Sequence, residues 1–262
     1  MQSSASRARF SLSRQIFFGT AIVSCVIVFA LPFIGQDQHY HQFADARTVW
    51  GIPNGLDVIS NLPFLLAGGF GLMGCYRQHR MPARSLWLVT FTGISLVALG
   101  SAWYHLAPSD ATLVWDRLPM TIGFMALLCA IVAEYVSISL GHGALIPALV
   151  IGIVSIVYWR VTGDLRLYVW VQFAPLLLAG AALAGFRSRF THQHLLLLAL
   201  VFYVVAKLLE ACDAAVYVAS EQTVSGHTLK HLSAAAACCC LAWMIRRRKP
   251  ALDYQPLGRI QA

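Results

Sequence analysis

Charge is what this chain has least of. Only 11% of its 262 residues are Asp, Glu, Lys or Arg, less than half of the roughly 25% typical of a soluble globular domain. Acidic residues are the scarcer sign, 11 against 19 Lys and Arg. So small a solvating charge excludes a disordered chain and argues strongly against a nucleic-acid-binding domain or an ordinary cytosolic enzyme. No CxxC pair and no internal repeat occur. The seven cysteines, Cys25, Cys75, Cys129, Cys212, Cys238, Cys239 and Cys240, lie inside or at the ends of apolar stretches, where they read as small packing residues and not as a disulfide framework.

What is present is apolar. Hydrophobic residues make up 58% of the chain and the mean hydropathy is +0.67. Eight apolar segments are predicted, at 16–34, 56–75, 86–106, 112–137, 144–159, 167–186, 194–218 and 227–245. Most approach the ~20 residues a helix needs to cross ~30 Å of hydrocarbon; the fifth is short. Inside lipid each must be helical, because an extended segment would leave its backbone groups unpaired. The expectation is an all-α, polytopic membrane bundle, with a polar tail beginning at Pro250 as an unstructured end.

Positive residues orient it. With the N-terminus inside, Arg7, Arg9, Arg14, Arg77, Arg80, Arg84, Arg187, Arg189, Arg246, Arg247, Arg248, Lys249 and Arg259 are cytoplasmic, leaving Arg47, Arg117, Arg160, Arg166, Lys207 and Lys230 elsewhere. Both termini are therefore expected in the cytoplasm. The first segment follows three arginines like a secretory signal, but it exceeds the ~7–15 residues of a signal core, and Pro32 closely follows the candidate cleavage at Ala30. It is expected to remain as a helix.

Ionisable residues in membrane helices are costly and point to function. On this topology Asp57, Ser60, Asn61, Ser101, His105, Asp116, Lys207, Glu210, Asp213, His227 and His231 all fall near the non-cytoplasmic face. Glu134, near the inner end of its segment, is the exception and is expected to reach toward the interface. His227 and His231, four residues apart, share a helical face and can hold one ion; alone the pair is weak, since roughly 0.3 such pairs arise by chance among nine histidines. His105 at matching depth would complete an N₃ set with a fourth position open, as in a catalytic zinc site, where water acquires a pKa near 7. Asp116 could then hold the attacking water and pass its proton to a leaving nitrogen, and Ser101 could donate to the developing oxyanion. Each residue also has an ordinary reading. The histidines can be helix-end or interface residues, Ser101 a packing serine, and Asp116 the ion-pair partner of Lys207 or Lys230. Lys207, Glu210 and Asp213 either neutralise one another or orient histidine N–H groups from behind. His39, His41, His79, His142, His192 and His194 are given no role.

Ser60-Asn61-Leu62-Pro63-Phe64, Gly100-Ser101 through His105, Asp116 and the His227/His231 pair resemble, in order and spacing, the alkaline ceramidase family, part of a superfamily of seven-helix membrane hydrolases that includes adiponectin-receptor-like proteins. The resemblance runs from about Phe43 to Leu241. It implies a seven-helix domain over 43–246, preceded at 1–42 by a tail, an extra transmembrane helix and a loop, and followed by a cytoplasmic tail at 247–262. It implies zinc held by His105, His227 and His231, with Ser101 and Asp116 assisting hydrolysis of the amide bond of ceramide to a fatty acid and a sphingoid base. The partners are then a membrane lipid substrate and the bilayer, with no nucleic acid. The family also has an acidic calcium-binding stretch before its first core helix. Here acids are few, and Asp45 and Asn54, with Asp57 nearby, are the ligands available for Ca²⁺, which prefers several oxygens.

Two other classes compete. Transmembrane histidines also ligate haem in electron-transfer proteins. In a receptor or transporter, Asp57, Asp116, Lys207 and Glu210 would line a solute or proton path. Three convergent imidazoles favour the hydrolase, since transport alone gives no reason for them.

Overall fold

Apolar runs that can satisfy their backbone only internally become helices almost without interruption. A computed structural model describes residues 4–251, with side chains from residue 10 onward. The tail beyond residue 251, including Arg259, lies outside the described residues, as do the side chains of Arg7 and Arg9. The helices are α1 (Ser4–Ala30), α2 (Gly55–Ile59), α3 (Leu62–Arg77), α4 (Arg84–Leu106), α5 (Asp110–Ile131), α6 (Ile138–Thr162), α7 (Arg166–Gly185), α8 (His194–Ala211), α9 (Asp213–Ala219) and α10 (Gly226–Arg247). No strand occurs among the described residues, and eight of the helical stretches are long and apolar enough to cross a membrane. The protein is an all-α, multi-pass integral membrane protein.

Local chemistry explains where the stretches start and break. The hydroxyl of Ser109 accepts from Thr112 N–H, and Thr112 Oγ1 accepts in return from Ser109 N–H, a reciprocal cap that starts α5. Ser225 caps α10 by accepting from Thr228 N–H at 3.0 Å. The second segment is two helices, because Ser60 and Asn61 both turn their side chains back onto the Asp57 carbonyl, at 2.9 and 2.8 Å. Such local bonds compete with the helical ladder.

Four boundaries differ from those expected. The first helix already includes Ser4, so Arg14 lies within it. The fifth, expected to be short, is the 25-residue α6. Its Gly141 serves close packing: a Cβ there would lie 2.6 Å from Cys129 O and from Ala133 N. The seventh is interrupted at Cys212, which separates α8 from α9. The C-terminal stretch does not fray at Pro250; residues 249–251 pair as extended backbone with 189–191.

Helices α3 to α8 and α10 form a closed ring in which α5, the most enclosed, packs on α4, α6 and α7, while α10 bridges α3 and α8. The thinnest seam is between α7 and α8. Helix α1 stands outside the ring on α7. Ser13 Oγ donates to Gly185 O at 2.7 Å, and Arg166 Nη1 donates to Phe29 O and Leu31 O, both at 3.1 Å. Arg166 also binds Asp164, and this hydrogen bonding holds the Asp164 carboxyl down at about 2. The link contributes stability above the ordinary carboxylate pKa and loses it as the pH falls toward 2.

Glu134 departs from its expected place at the interface. It lies in a π-helical turn, Val132–Val136, that ends the α5 span, and it is 7% exposed. Its carboxylate accepts from Trp87 Nε1 at 2.6 Å and from both terminal nitrogens of Arg248, at 2.6 and 2.8 Å. Burial forces this pairing, because a carboxylate this deep must be neutralised and hydrogen-bonded. The packed bundle therefore runs on through Arg248. Replacing Glu134 with Ala strands a buried guanidinium and is expected to cost about 3–5 kcal/mol. Thermal unfolding in detergent reads this, and an unchanged midpoint would show the pair to be idle.

Candidate active site

The end of α4 and the start of α10 meet at one depth, and their histidines meet with them. His105 occupies the last turn of α4, and His227 and His231 the first turns of α10; all three are at most 5% exposed. Their ring centroids form a near-equilateral triangle of 4.8, 4.9 and 4.9 Å. One nitrogen from each lies within 4.8 Å of the others, the sole such group of His, Cys, Asp or Glu among the described residues. His105 Nε2 and His227 Nε2 are 3.4 Å apart, about the separation that two ~2.0–2.1 Å bonds subtend at a tetrahedral angle.

The rings are held from behind. His231 Nδ1 donates to Ser60 Oγ at 2.7 Å, and Ser60 donates onward to Asp57 O at 2.9 Å. That relay leaves the Nε2 lone pair of His231 free for a cation. His105 Nδ1 is buried with no partner. Phe43 covers the group, its ring 4.6 Å from both His105 and His227. A buried, all-nitrogen, preoriented donor set of this kind suits a divalent transition metal. Three imidazoles in mutual contact leave no room for a porphyrin between any two of them.

The residues available for calcium each have other work. Asp45 is gripped by Arg47 through Nε and Nη2, both at 2.7 Å, which lowers its pKa; a divalent cation there would have to displace the guanidinium. Asn54 donates to His105 O at 2.8 Å, satisfying a carbonyl that the end of α4 leaves without a helical partner. Asp57 accepts from Thr228 Oγ1 at 2.6 Å, tying α2 to α10. Asp213 acts through backbone and not through a histidine ring, the role its position suggests. It accepts from His227 N–H at 2.7 Å and from Ala44 N–H at 3.0 Å, fastening the segment that carries Phe43 to the start of α10.

Lys207, Glu210 and Lys230 form an ion-paired row in which Glu210 binds both lysines, Lys230 at 2.9 Å, and accepts from Tyr40 OH at 3.2 Å. Lys230 also donates to His227 Nε2 at 3.0 Å. Neither lysine is paired with Asp116. That carboxylate shares the cavity wall with Ser101 and Lys230, at a point where α4 and α5 nearly touch: a Cβ on Gly100 would overlap the Trp115 carbonyl.

Ser101, Asp116, Lys230 and His231 line the polar end of a cavity of about 340 Å³ whose trunk runs among apolar side chains such as Ile94, Leu127, Leu200 and Leu241. Its walls include Phe173 of α7 and Lys207 of α8, at the thin seam of the ring; both side chains are partly exposed on the lipid-facing surface. An amphipathic cavity of this shape matches an amphipathic molecule.

Several contributors escape sequence reasoning. Depth and motif single out Ser60 in the sequence, but neither marks it as the partner of His231. Phe43 and Tyr40 sit in a loop with no periodicity to mark them. His41, given no role, bonds to Tyr104 OH at 2.9 Å and Asp110 at 3.1 Å and helps close the loop over the site.

A search of the curated proteins returns no match. A model of the Ceramidase family matches residues 52–247, a stretch that contains every residue of the histidine centre together with Ser101, Asp116 and the Lys207–Glu210–Lys230 row. The chain belongs to the ceramidase family, and with it to hydrolases that act on amide bonds.

Proposed function

We propose that the protein is a zinc-dependent membrane amidase that cleaves the N-acyl bond of ceramide or a ceramide-like lipid, giving a fatty acid and a sphingoid base. The observation that carries this reading is the convergence of three buried imidazoles, one of which, His231, lines the polar head of an apolar cavity with Asp116 and Ser101. His105, His227 and His231 hold the metal. Zinc in that position supplies Lewis acidity, lowering the pKa of water toward about 7 and polarising an acyl carbonyl.

The chain's own residues do the rest. The apolar trunk takes the acyl chain and brings the amide carbon to the head of the cavity. Asp116 accepts a proton from the attacking water as the new C–O bond forms, then delivers it to the nitrogen as the C–N bond breaks. Ser101 donates a hydrogen bond to the oxygen on which negative charge develops. Ser60 holds His231 in the tautomer that presents Nε2, and Phe43 keeps bulk water off the centre. In the orientation set by the positive residues, both termini are cytoplasmic and the site lies near the non-cytoplasmic face, reached sideways from the bilayer through the seam between α7 and α8.

Purified protein is expected to carry about one zinc per chain, and His231→Ala to lose both the metal and the release of fatty acid from N-acyl sphingoid lipids. Full activity in a metal-free preparation would defeat the proposal. Two further variants separate chemistry from metal binding. Asp116→Asn should keep the zinc but lower kcat by about 10²–10⁴-fold, whereas Ser60→Ala should weaken zinc retention against a chelator by about 10–100-fold. Metal analysis alongside kinetics checks both, and equal metal loss in the two variants would contradict the assigned roles.

A further inference from the structure

Five charged side chains line the cavity: Asp116, Arg117, Lys207, Glu210 and Lys230. Glu210 pairs with both lysines, and Asp116, in no ion pair among the described residues, lies within electrostatic reach of Lys230, Ser101 and Arg117. Arg117 is the fifth. It is 6% exposed, and its guanidinium lies over the rings of Trp159, Tyr168 and Tyr40, at 4.4, 4.7 and 5.8 Å from their centroids. Nη2 donates to the neutral amide of Gln36 at 2.7 Å, and Nη1 makes no hydrogen bond. Among the described residues no carboxylate forms an ion pair with it.

The same molecule shows how a buried arginine is otherwise completed. Arg248, 4% exposed, also lies over aromatic rings, those of Trp87 and Phe190, but its two terminal nitrogens grip the Glu134 carboxylate. Ring faces stabilise the cation electrostatically, yet they do not satisfy the N–H groups at the rim of the guanidinium, which match the paired oxygens of a carboxylate or phosphate. Arg117 has the rings and lacks the oxygens. Three cations against two anions on the cavity wall also leave one positive charge over.

We propose that Arg117 seats the anionic group of an amphiphile whose chain fills the cavity, a carboxylate or phosphate taking the place that Glu134 takes at Arg248. The inference deepens the lipid-amidase reading and rests on it for the meaning of the anion: it is either the carboxylate of the released fatty acid or an acidic head on the substrate. Binding without turnover tests it independently of hydrolysis.

The probes are three C16 amphiphiles that carry no amide: palmitate, hexadecyl phosphate and hexadecanol, each titrated into the full-length, metal-loaded protein in detergent at a pH where the acids are ionised. At least one acid is expected to bind roughly 10-fold tighter than the alcohol, by the usual strength of a charge-assisted bidentate pair, and Arg117→Gln to remove that preference while leaving hexadecanol binding as it was. Preference for palmitate alone assigns the seat to the fatty-acid product; preference for hexadecyl phosphate assigns it to an acidic head group. Arg117→Lys keeps a cation over the rings without the fork and should reduce the preference several-fold, which serves if the glutamine variant does not fold. Equal affinity of wild-type protein for all three probes overturns the proposal, and so does a preference that survives both substitutions, since the metal centre would then be its source.

Discussion

The structure depends on bringing three neutral imidazoles together with their lone pairs facing one another. Lone pairs that converge in a buried site repel unless a cation stands among them, so the approach of α4 to α10 at this level has to be enforced by other bonds. Asn54 holds the end of α4 through the His105 carbonyl, Asp213 holds the start of α10 through the His227 amide, and Ser60 holds the His231 ring. Asn54 and Ser60 cap the two ends of α2 and Asp213 opens α9, and each uses a polar group that the bundle could otherwise bury only at a cost. The Lys230 ammonium donates into the same His227 nitrogen that a metal would occupy. A cation at this point is thus built into the electrostatics of the site even among the protein's own atoms.

Much of this is legible in the sequence, for a definite reason. Hydropathy reports helices in membrane proteins well because lipid leaves the backbone no alternative, and depth along each helix follows from counting at 1.5 Å per residue. That count alone puts His105, Ser101 and Asp116 at the level of His227 and His231. What is not legible is whatever depends on rotation or on loops. The break at Ser60–Asn61 arises from side chains that compete with the ladder, and the close approach of α6 to the end of α5 at Gly141 leaves no mark in hydropathy. Phe43 belongs to a loop, where no period marks the residues that matter. Spacing also says nothing about partners. Glu210, not Asp116, binds the lysines, and Asp45 spends its charge on Arg47.

The ring of helices is closed unevenly, and the unevenness fits a lipid substrate. The segment carrying Phe43, pinned by Asp213 and by the Tyr104–His41–Asp110 bonds, covers the histidines from the end of the bundle. Side access is easier, because α7 and α8 pack thinly against each other and both line the cavity. A molecule dissolved in the bilayer already lies at that seam, with its polar part at the level of the polar residues and its chain alongside the apolar trunk. It need only move sideways, keeping its depth, and no part of it has to cross water.

Buried charge occurs at both ends of the bundle, and the contrast separates scaffold from site. At the Glu134 end, Trp87 and both terminal nitrogens of Arg248 converge on one carboxylate. That arrangement locks the end of α10 onto α5 and leaves the carboxylate nothing to offer a ligand. At the histidine end the charges face an enclosed space, and the bonding around it is incomplete. Among the described residues, Asp57 Oδ2, Asn61 Oδ1, His105 Nδ1 and Arg117 Nη1 are buried without partners here, against Arg248 Nε alone at the Glu134 end. Unsatisfied groups are rare in folded proteins because each costs about 1–3 kcal/mol, and several of them toward one end of the bundle amount to a sizeable deficit in a marginally stable fold. A ligand that completes such a group stabilises the protein that binds it, and of these residues Arg117 is the one on the cavity wall.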